Sequence, residues 1–238
     1  MLAFTSAPPA SPLQTDLALT YRVINPEQAG RATHLVLLLH GVGANEQALV
    51  PVGQQLAGPA LVLAVRAPVS LGPDAFGFYR VSFATGRPVY DPAEEQHSRQ
   101  LLVECIKQAR QRYGMSARQV YLLGFSQGAI LAYSVGLTHP DSIGGVLAFS
   151  GRMLQEAMEH PAPSAQIQNV RFFISHGTQD GTLPEHYARQ ALEFLHRHKV
   201  AVNHFTFSGG HDMPAESINA ARFWLYSNAN SNGGETSK

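Results

Sequence analysis

The feature that most restricts the possible folds is the stretch Val120–Leu131, in which a serine between two glycines separates two apolar runs. The first run, Val120–Leu123, is short and begins with a β-branched and an aromatic residue, which is typical of a buried strand. The second run continues with the pattern of an apolar helix. Gly124-x-Ser126-x-Gly128 between a strand and a helix predicts a tight turn that presents the serine hydroxyl above a sheet. The alternative is a buried glycine-rich turn whose serine has no chemical role.

Short apolar runs alternate with helical patterns from residue 35 onward. The predicted strands share a short length and are bounded by glycine, proline or polar residues: 35–39, 61–65, 120–123, 145–149, 170–174 and 203–207. Residues 17–24 alternate apolar and polar side chains, as an edge strand does. Strands that alternate with helices predict an α/β fold with a mainly parallel central sheet and helices on both faces.

The chain is expected to form one domain, because no change in composition divides it. We predict a flexible lead-in over residues 1–12, a single domain over residues 13–228 and a disordered polar tail over residues 229–238. Residues 68–92 are rich in glycine, proline and aromatic side chains. A loop of that length in a compact domain usually has a function. The next predicted helix starts at Asp91-Pro92.

Composition and charge exclude several classes of function. The apolar fraction of 45% supports a sizeable core, and 17 basic residues balance 17 acidic ones, so no net charge attracts nucleic acid or an anionic membrane. The single cysteine, Cys105, excludes a disulfide within the chain, fits a reducing compartment and is expected in the core. Residues 1–12 do not resemble a signal peptide, and no apolar run approaches the ~20 residues that span a bilayer. We therefore expect a cytoplasmic protein.

A serine hydroxyl becomes a good nucleophile only when a base takes its proton and a third group orients the base. In a parallel sheet the ligand site lies at the carboxyl ends of the strands. His211 follows the last predicted strand beyond two glycines, and it is the preferred base for Ser126. His176 also follows a strand, but it is expected to pack under its loop. His139 lies at the far end of a helix.

The acid is expected on a loop that follows a strand between Ser126 and His211, and Asp180 meets that condition. Asp141 follows the predicted helix and lies at the wrong edge of the sheet. Asp212 is adjacent to His211 and is expected to cap the last helix. The oxyanion that forms during acyl transfer needs two backbone N–H donors. One is predicted at Gln127, directly after the nucleophile, and the other at Val42, in the loop after the strand that ends before His40.

Five segments, within about residues 20–228, resemble the phospholipase/carboxylesterase family of α/β-hydrolases. They are His40-Gly41-Val42-Gly43-Ala44-Asn45, Gly124-Phe125-Ser126-Gln127-Gly128-Ala129, Ser150-Gly151, His176-Gly177-x-x-Asp180 and Gly210-His211. The resemblance implies an ester or thioester hydrolase with nucleophile Ser126, base His211, orienting acid Asp180 and oxyanion donors Val42 and Gln127. It implies no metal and no organic cofactor. Some members of the family are homodimers, and no feature of this sequence decides the oligomeric state.

The sequence departs from the family pattern where substrates are selected. Phe78-Tyr79-Arg80 stands where many members have an arginine, tryptophan and aspartate cluster, and Asp-Met follows His211. Residues 152–169 are too few for a lid domain, so we predict an open cleft, roofed in part by residues 68–92, for small to medium acyl groups. The candidate substrate-contacting side chains are Phe78, Tyr79, Arg80, Arg152 and Met213. Either arginine could bind an anionic group or be an ordinary surface residue.

Three other functions fit parts of the sequence. A dinucleotide-binding fold would use Gly41-x-Gly43, but Glu46 stands where its third glycine belongs. An amidase or peptidase could use the same three residues. A non-catalytic binding module could retain the fold. We expect a small-molecule ester, thioester or lysophospholipid as the substrate, with no nucleic-acid partner and no integral membrane association.

Overall fold

The computed structural model of the protein describes residues 11–82, 84 and 88–227. The predicted tail, residues 229–238, and residues 1–10 of the predicted lead-in lie outside the described residues. Ser11, two residues before the predicted start of the domain at residue 13, is hydrogen-bonded to β1, the strand Tyr21–Val23. Its N–H donates to Val23 O at 2.8 Å and its Oγ accepts from Val23 N at 2.8 Å. Ser11 is therefore part of the folded domain.

Seven strands form a central sheet in the order β1-β3-β2-β8-β9-β10-β11. They are β1 (Tyr21–Val23), β2 (His34–Leu39), β3 (Ala60–Val65), β8 (Val120–Phe125), β9 (Gly145–Phe149), β10 (Arg171–Gly177) and β11 (Val202–Phe207). β1 pairs antiparallel with β3 at one edge, and the other pairs are parallel. The mainly parallel sheet predicted from the alternating pattern is confirmed.

Helices cover both faces of the sheet. They are α1 (Val50–Leu56), α2 (Pro92–Tyr113), α3 (Gln127–Thr138), α4 (Gln155–Glu159), α5 (Ser164–Ile167), α6 (His186–Arg197) and α7 (Ala215–Ser227). α1 and α7 bury apolar side chains against one face, and the other helices contribute to a second apolar core on the opposite face. α4 and α5 belong to the connection between β9 and β10, which was too short for a lid domain.

The glycine- and proline-rich segment contains two small hairpins, which the sequence did not predict. They consist of β4 (Val69–Gly72) with β5 (Ala75–Gly77) and of β6 (Val81–Ser82) with β7 (Val89–Tyr90). The backbone of Phe76 in β5 exchanges hydrogen bonds with Gly43 and Ala44, each at 2.8 Å. This segment is therefore attached to the loop that follows β2.

Cys105 belongs to α2, and its side chain lies in the apolar core, as predicted. Burial raises the pKa of its thiol to about 11. At that pKa almost no thiolate forms at neutral pH, so the side chain behaves as a small apolar residue.

Glu46 holds a buried ion-pair cluster beside the loop that follows β2. Its side chain is inaccessible to solvent and accepts from Arg22 Nε at 2.8 Å and from Arg66 Nε at 2.6 Å. Burial alone would raise the pKa of Glu46, but the hydrogen bonds from Arg66 and Arg22 outweigh it and lower the pKa to about 2. The sequence pattern predicts a helix over about residues 46–56, but α1 begins only at Val50, because residues 46–49 form turns and the Glu46 side chain points inward.

Replacing Glu46 by glutamine should lower the free energy of unfolding at neutral pH by about 3–5 kcal/mol, because two arginines lose their shared charge partner. Since the folded pKa lies below the ordinary value of 4.5, the stabilisation is present above that value and is lost as the pH falls toward 2. Urea unfolding between pH 7 and pH 3 measures both effects. Glu104→Gln, which removes an exposed pair with Lys107, is the control and should cost less than about 1 kcal/mol. Equal losses in the two variants would contradict the prediction.

Candidate active site

Ser126 occupies the turn between β8 and α3 in a strained backbone conformation. Its φ is 52° and its ψ is −116°, a region that side chains other than glycine rarely adopt. A Cβ on Gly124 would lie 2.3 Å from the backbone of Gly128, and a Cβ on Gly128 would lie 2.0 Å from Leu39 O. No side chain fits at either glycine without moving backbone. The close packing of β2, β8 and α3 therefore explains both glycines of the predicted turn.

His211 and Asp180 are joined by a short hydrogen bond. His211 Nδ1 lies 2.7 Å from Asp180 Oδ2. The Asp180 side chain is inaccessible, and its second oxygen accepts the backbone N–H groups of Thr182 at 2.9 Å and Leu183 at 2.8 Å. His211 remains 19% exposed and lines the same cavity as Ser126. The acid is thus held rigidly from below, while the imidazole faces the cavity.

The sequence Thr182-Leu183-Pro184-Glu185 predicts a capping box at the start of a helix, but this prediction is wrong and the backbone has another role. α6 begins at His186, and the preceding residue, Glu185, shows no capping side chain. The N–H groups of Thr182 and Leu183 instead donate to Asp180. The signal was misread because a threonine followed three residues later by a glutamate fits a cap equally well.

His176 lies under the Asp180 loop, where the sequence predicted it. Its ring is fully buried, and its Nε2 lies 2.7 Å from Leu183 O and 3.4 Å from Asp180 Oδ2. It lines neither cavity described below. His176 therefore supports the loop that carries the acid.

The loop that follows β2 is fixed by a buried histidine. Ala67 N donates to His40 Nε2 at 3.0 Å, so the other ring nitrogen, Nδ1, carries the proton that is donated to Gly41 O at 2.8 Å. Burial lowers the pKa of His40, which favours this neutral form. Within the described part of the chain, neither Val42 N nor Gln127 N has a hydrogen-bond acceptor. Both amides remain available to an oxyanion.

The side chain of Gln127 attaches the turn to the segment that follows β5, a contact that the sequence did not reveal. Its Oε1 accepts from Phe78 N at 2.8 Å, and its Nε2 donates to Tyr79 O at 2.7 Å. Ser98 Oγ donates to Phe78 O from α2. A single buried glutamine produces no periodic pattern in the sequence. Its hydrogen bonds to a distant segment of the chain are therefore visible only in the folded structure.

Two cavities meet at Ser126. The larger, about 550 Å³, is mainly apolar and is lined by Leu49, Val52, Phe125 and Met213 together with His211. The smaller, about 60 Å³, is lined by Tyr79, Ile130, Arg152 and Leu183 among others, and His211 is not one of them. The candidate nucleophile therefore borders a roomy cavity and a narrow one, which are both mainly apolar, and the lining of the narrow one includes the cationic side chain of Arg152.

Three of the five candidate substrate-contacting side chains line one of the two cavities, and two line neither. Tyr79 and Arg152 line the smaller cavity and Met213 the larger. Phe78 lines neither, because its ring is fully buried 5.6 Å from the ring of His40. Arg80 also lines neither, because its side chain is 69% exposed and pairs with Glu94. Phe78 and Arg80 thus lie outside both cavities. The sequence did not indicate that Leu49 and Val52 line the larger cavity, because their spacing is also that of a helix that packs on an apolar core.

A mainly parallel sheet with helices on both faces and a serine at a strained strand-to-helix turn defines an α/β-hydrolase. The sequence model of the Phospholipase/Carboxylesterase family matches residues 86–228. The chain belongs to that family and is a hydrolase of the esterase kind. No helix within the described ranges is long and apolar enough to cross a membrane.

Individual relatives agree with this assignment. The crystal structure of a carboxylesterase from Mesorhizobium loti is 26% identical, covers 92% of this chain and 99% of that chain, and superposes with a TM-score of 0.78. Esterase YpfH of Escherichia coli is 29% identical over 181 residues, which is 69% of each protein. Acyl-protein thioesterase 1 of Eremothecium gossypii is 34% identical over 84 residues, 35% of this chain and 34% of that protein. The similarity to the thioesterase thus spans about a third of its length.

Proposed function

We propose that the protein is a serine carboxylesterase that cleaves esters of small to medium acyl groups through an acyl-enzyme on Ser126. The observation that carries the proposal is the hydrogen bond that His211 Nδ1 donates to Asp180 Oδ2 at 2.7 Å, since the His211 ring lines the same cavity as Ser126. The chain order Ser126, Asp180, His211 is the order of α/β-hydrolases.

The proposed reaction proceeds in two steps. His211 Nε2 takes the proton of Ser126 Oγ as this oxygen attacks the ester carbonyl, and Asp180 stabilises the imidazolium that results. The carbonyl oxygen becomes an oxyanion that accepts from the backbone N–H groups of Val42 and Gln127. The C–O bond to the alcohol then breaks, and the alcohol leaves with the proton from His211. Water repeats the sequence on the acyl-enzyme and releases the acid.

Substrate preference follows from the two compartments. The larger cavity is lined mainly by apolar side chains and accommodates an apolar substituent, which fits carboxylic esters and also thioesters or lysophospholipids. We further propose a cytoplasmic location, which the single buried thiol of Cys105 supports. Glu46 stands where a dinucleotide-binding loop has its third glycine, and its carboxylate forms ion pairs with Arg22 and Arg66. This arrangement argues against a dinucleotide-binding function.

A panel of substrates tests the proposal. It contains esters and thioesters of increasing acyl length, aryl esters, lysophospholipids and p-nitroanilides. In a separate experiment, the protein is treated with a fluorophosphonate, which labels active serine hydrolases. We expect turnover of short and medium esters and labelling of the wild-type protein. Turnover of anilides at rates near those of esters would favour an amidase. A protein that turns over no member of the panel and is not labelled would be a non-catalytic binding module.

A further inference from the structure

Arg152 lies beside Ser126 with a charge that no carboxylate neutralises. It follows β9 in the loop before α4, and it lines the smaller cavity together with Ser126 and Gln127. Its Nε is buried without a hydrogen-bond partner, and among the described residues no carboxylate oxygen lies within 4.0 Å of its guanidinium. Six other described arginines also have no carboxylate partner, but none of them lines either cavity at Ser126: Arg31, Arg110, Arg118, Arg171, Arg197 and Arg222.

Two aromatic rings hold the Arg152 guanidinium in place. Its central carbon lies 5.9 Å from the ring centre of Tyr90 and 5.7 Å from that of Tyr187. The Tyr90 hydroxyl donates to Glu156 Oε2 at 2.8 Å, so that carboxylate is bound to the tyrosine rather than to the arginine. A guanidinium fixed in this way loses little conformational freedom when it binds an anion.

A partly buried guanidinium without an acceptor is unfavourable, and a carboxylate that reaches it gains charge-assisted hydrogen bonds in a partly dehydrated site. The planar fork of arginine matches the two oxygens of a carboxylate.

The position of His211 indicates which part of the substrate reaches Arg152. In the proposed reaction the leaving alcohol takes its proton from His211, so it must lie on the side of that ring. His211 lines the larger cavity and does not line the smaller one. The acyl chain is thereby directed into the smaller cavity, toward Arg152. The volume of about 60 Å³ admits only a short chain.

We propose that the preferred substrates are monoesters of short dicarboxylic acids, with the free carboxylate of the acyl chain bound by Arg152. This inference rests on the proposed function and specifies its substrate class. Ser126 Oγ bonds to the ester carbon as the alcohol leaves with a proton. Water then gives its hydroxyl to that carbon and its proton to Ser126. The products are one alcohol and one dicarboxylate.

The test compares two substrate series in a pH-stat at neutral pH. The first contains the monoethyl esters of succinate, glutarate and adipate. The second contains the ethyl esters of butyrate, valerate and hexanoate, which match the first in acyl carbon number. Wild-type protein is expected to show a higher kcat/KM for at least one diacid monoester than for its neutral match. Arg152→Met should lower the ratio of the two kcat/KM values by about 10- to 100-fold.

Arg189→Gln is the matched control, because it removes an exposed arginine from α6, outside both cavities. Its ratio should stay within about twofold of wild type. The ratio within one preparation does not depend on the amount of folded protein, so partial misfolding of Arg152→Met does not obscure the result. Equal ratios in wild type and Arg152→Met would overturn the diacid inference alone. Absence of turnover in both series, with no labelling by the fluorophosphonate, would overturn the proposed function.

Discussion

Ser126→Ala is expected to lower kcat/KM for any ester that the wild-type protein cleaves by about 10⁵- to 10⁶-fold. The variant retains the turn, the amides of Val42 and Gln127, and the pair of His211 with Asp180, but it has no oxygen to form the acyl-enzyme. The residual rate should therefore reflect binding and oxyanion stabilisation alone. Steady-state kinetics measures the residual rate, and labelling by the fluorophosphonate should disappear.

Ser150→Ala is a close control for this variant. Like Ser126, Ser150 has a positive φ, 48°, and it is fully buried at the end of the neighbouring strand β9. Its hydroxyl donates to Asp212 O at 3.3 Å rather than facing either cavity. Its replacement should change kcat/KM by less than about tenfold. Loss of activity and labelling to the same degree in both variants would contradict the assignment of Ser126.

Asp180→Asn is expected to lower kcat by about 10⁴-fold with little loss of stability. The asparagine carbonyl can still accept from Thr182 N and Leu183 N, so the loop keeps its shape. Its amide group, however, donates where Asp180 Oδ2 accepted, which forces the His211 ring into the wrong tautomer for a base. Kinetics combined with urea unfolding separates the two effects.

Asp141→Asn is the control, since that residue lies on an exposed turn after α3, at the opposite edge of the sheet from the cavities. It should leave both kcat and the free energy of unfolding near the wild-type values. A drop of less than tenfold in Asp180→Asn would show that His211 needs no orienting carboxylate, and the proposed roles would fail.

The sheet could be predicted because its inner parallel strands are buried on both faces and therefore appear as apolar runs, whereas the parallel edge strand β11 is partly exposed. The turn at Ser126 was recognisable for a related reason, since only glycine fits between β2, β8 and α3. Asp180 and His211 could be placed at one edge because parallel strands end there together, and the structure brings them within 2.7 Å. These signals are local, and local patterns are what a sequence displays.

The hairpins between β3 and α2 could not be predicted, because long-range hydrogen bonds hold them. Gln127 and Ser98 bind the backbone of Phe78 across 49 and 20 residues of sequence. For the same reason, sequence reasoning could not distinguish Arg80 from Arg152. Both arginines lie in segments that the sequence predicts to be loops. In the structure, Arg80 is exposed and forms an ion pair with Glu94. Arg152 instead packs against the rings of Tyr90 and Tyr187 and lines the smaller cavity.

Gln127 has a double role that limits how this protein can evolve. Its backbone N–H is the proposed oxyanion donor, and its side chain is hydrogen-bonded to the segment that carries Tyr79 into the smaller cavity. A mutation that changes the shape of this segment to admit a new acyl group would therefore also shift the backbone N–H of Gln127, which is the proposed oxyanion donor. Adaptation to new alcohols through α1 and Met213, which border the larger cavity and have no such link, is therefore easier than adaptation to new acids through the segment beside Tyr79.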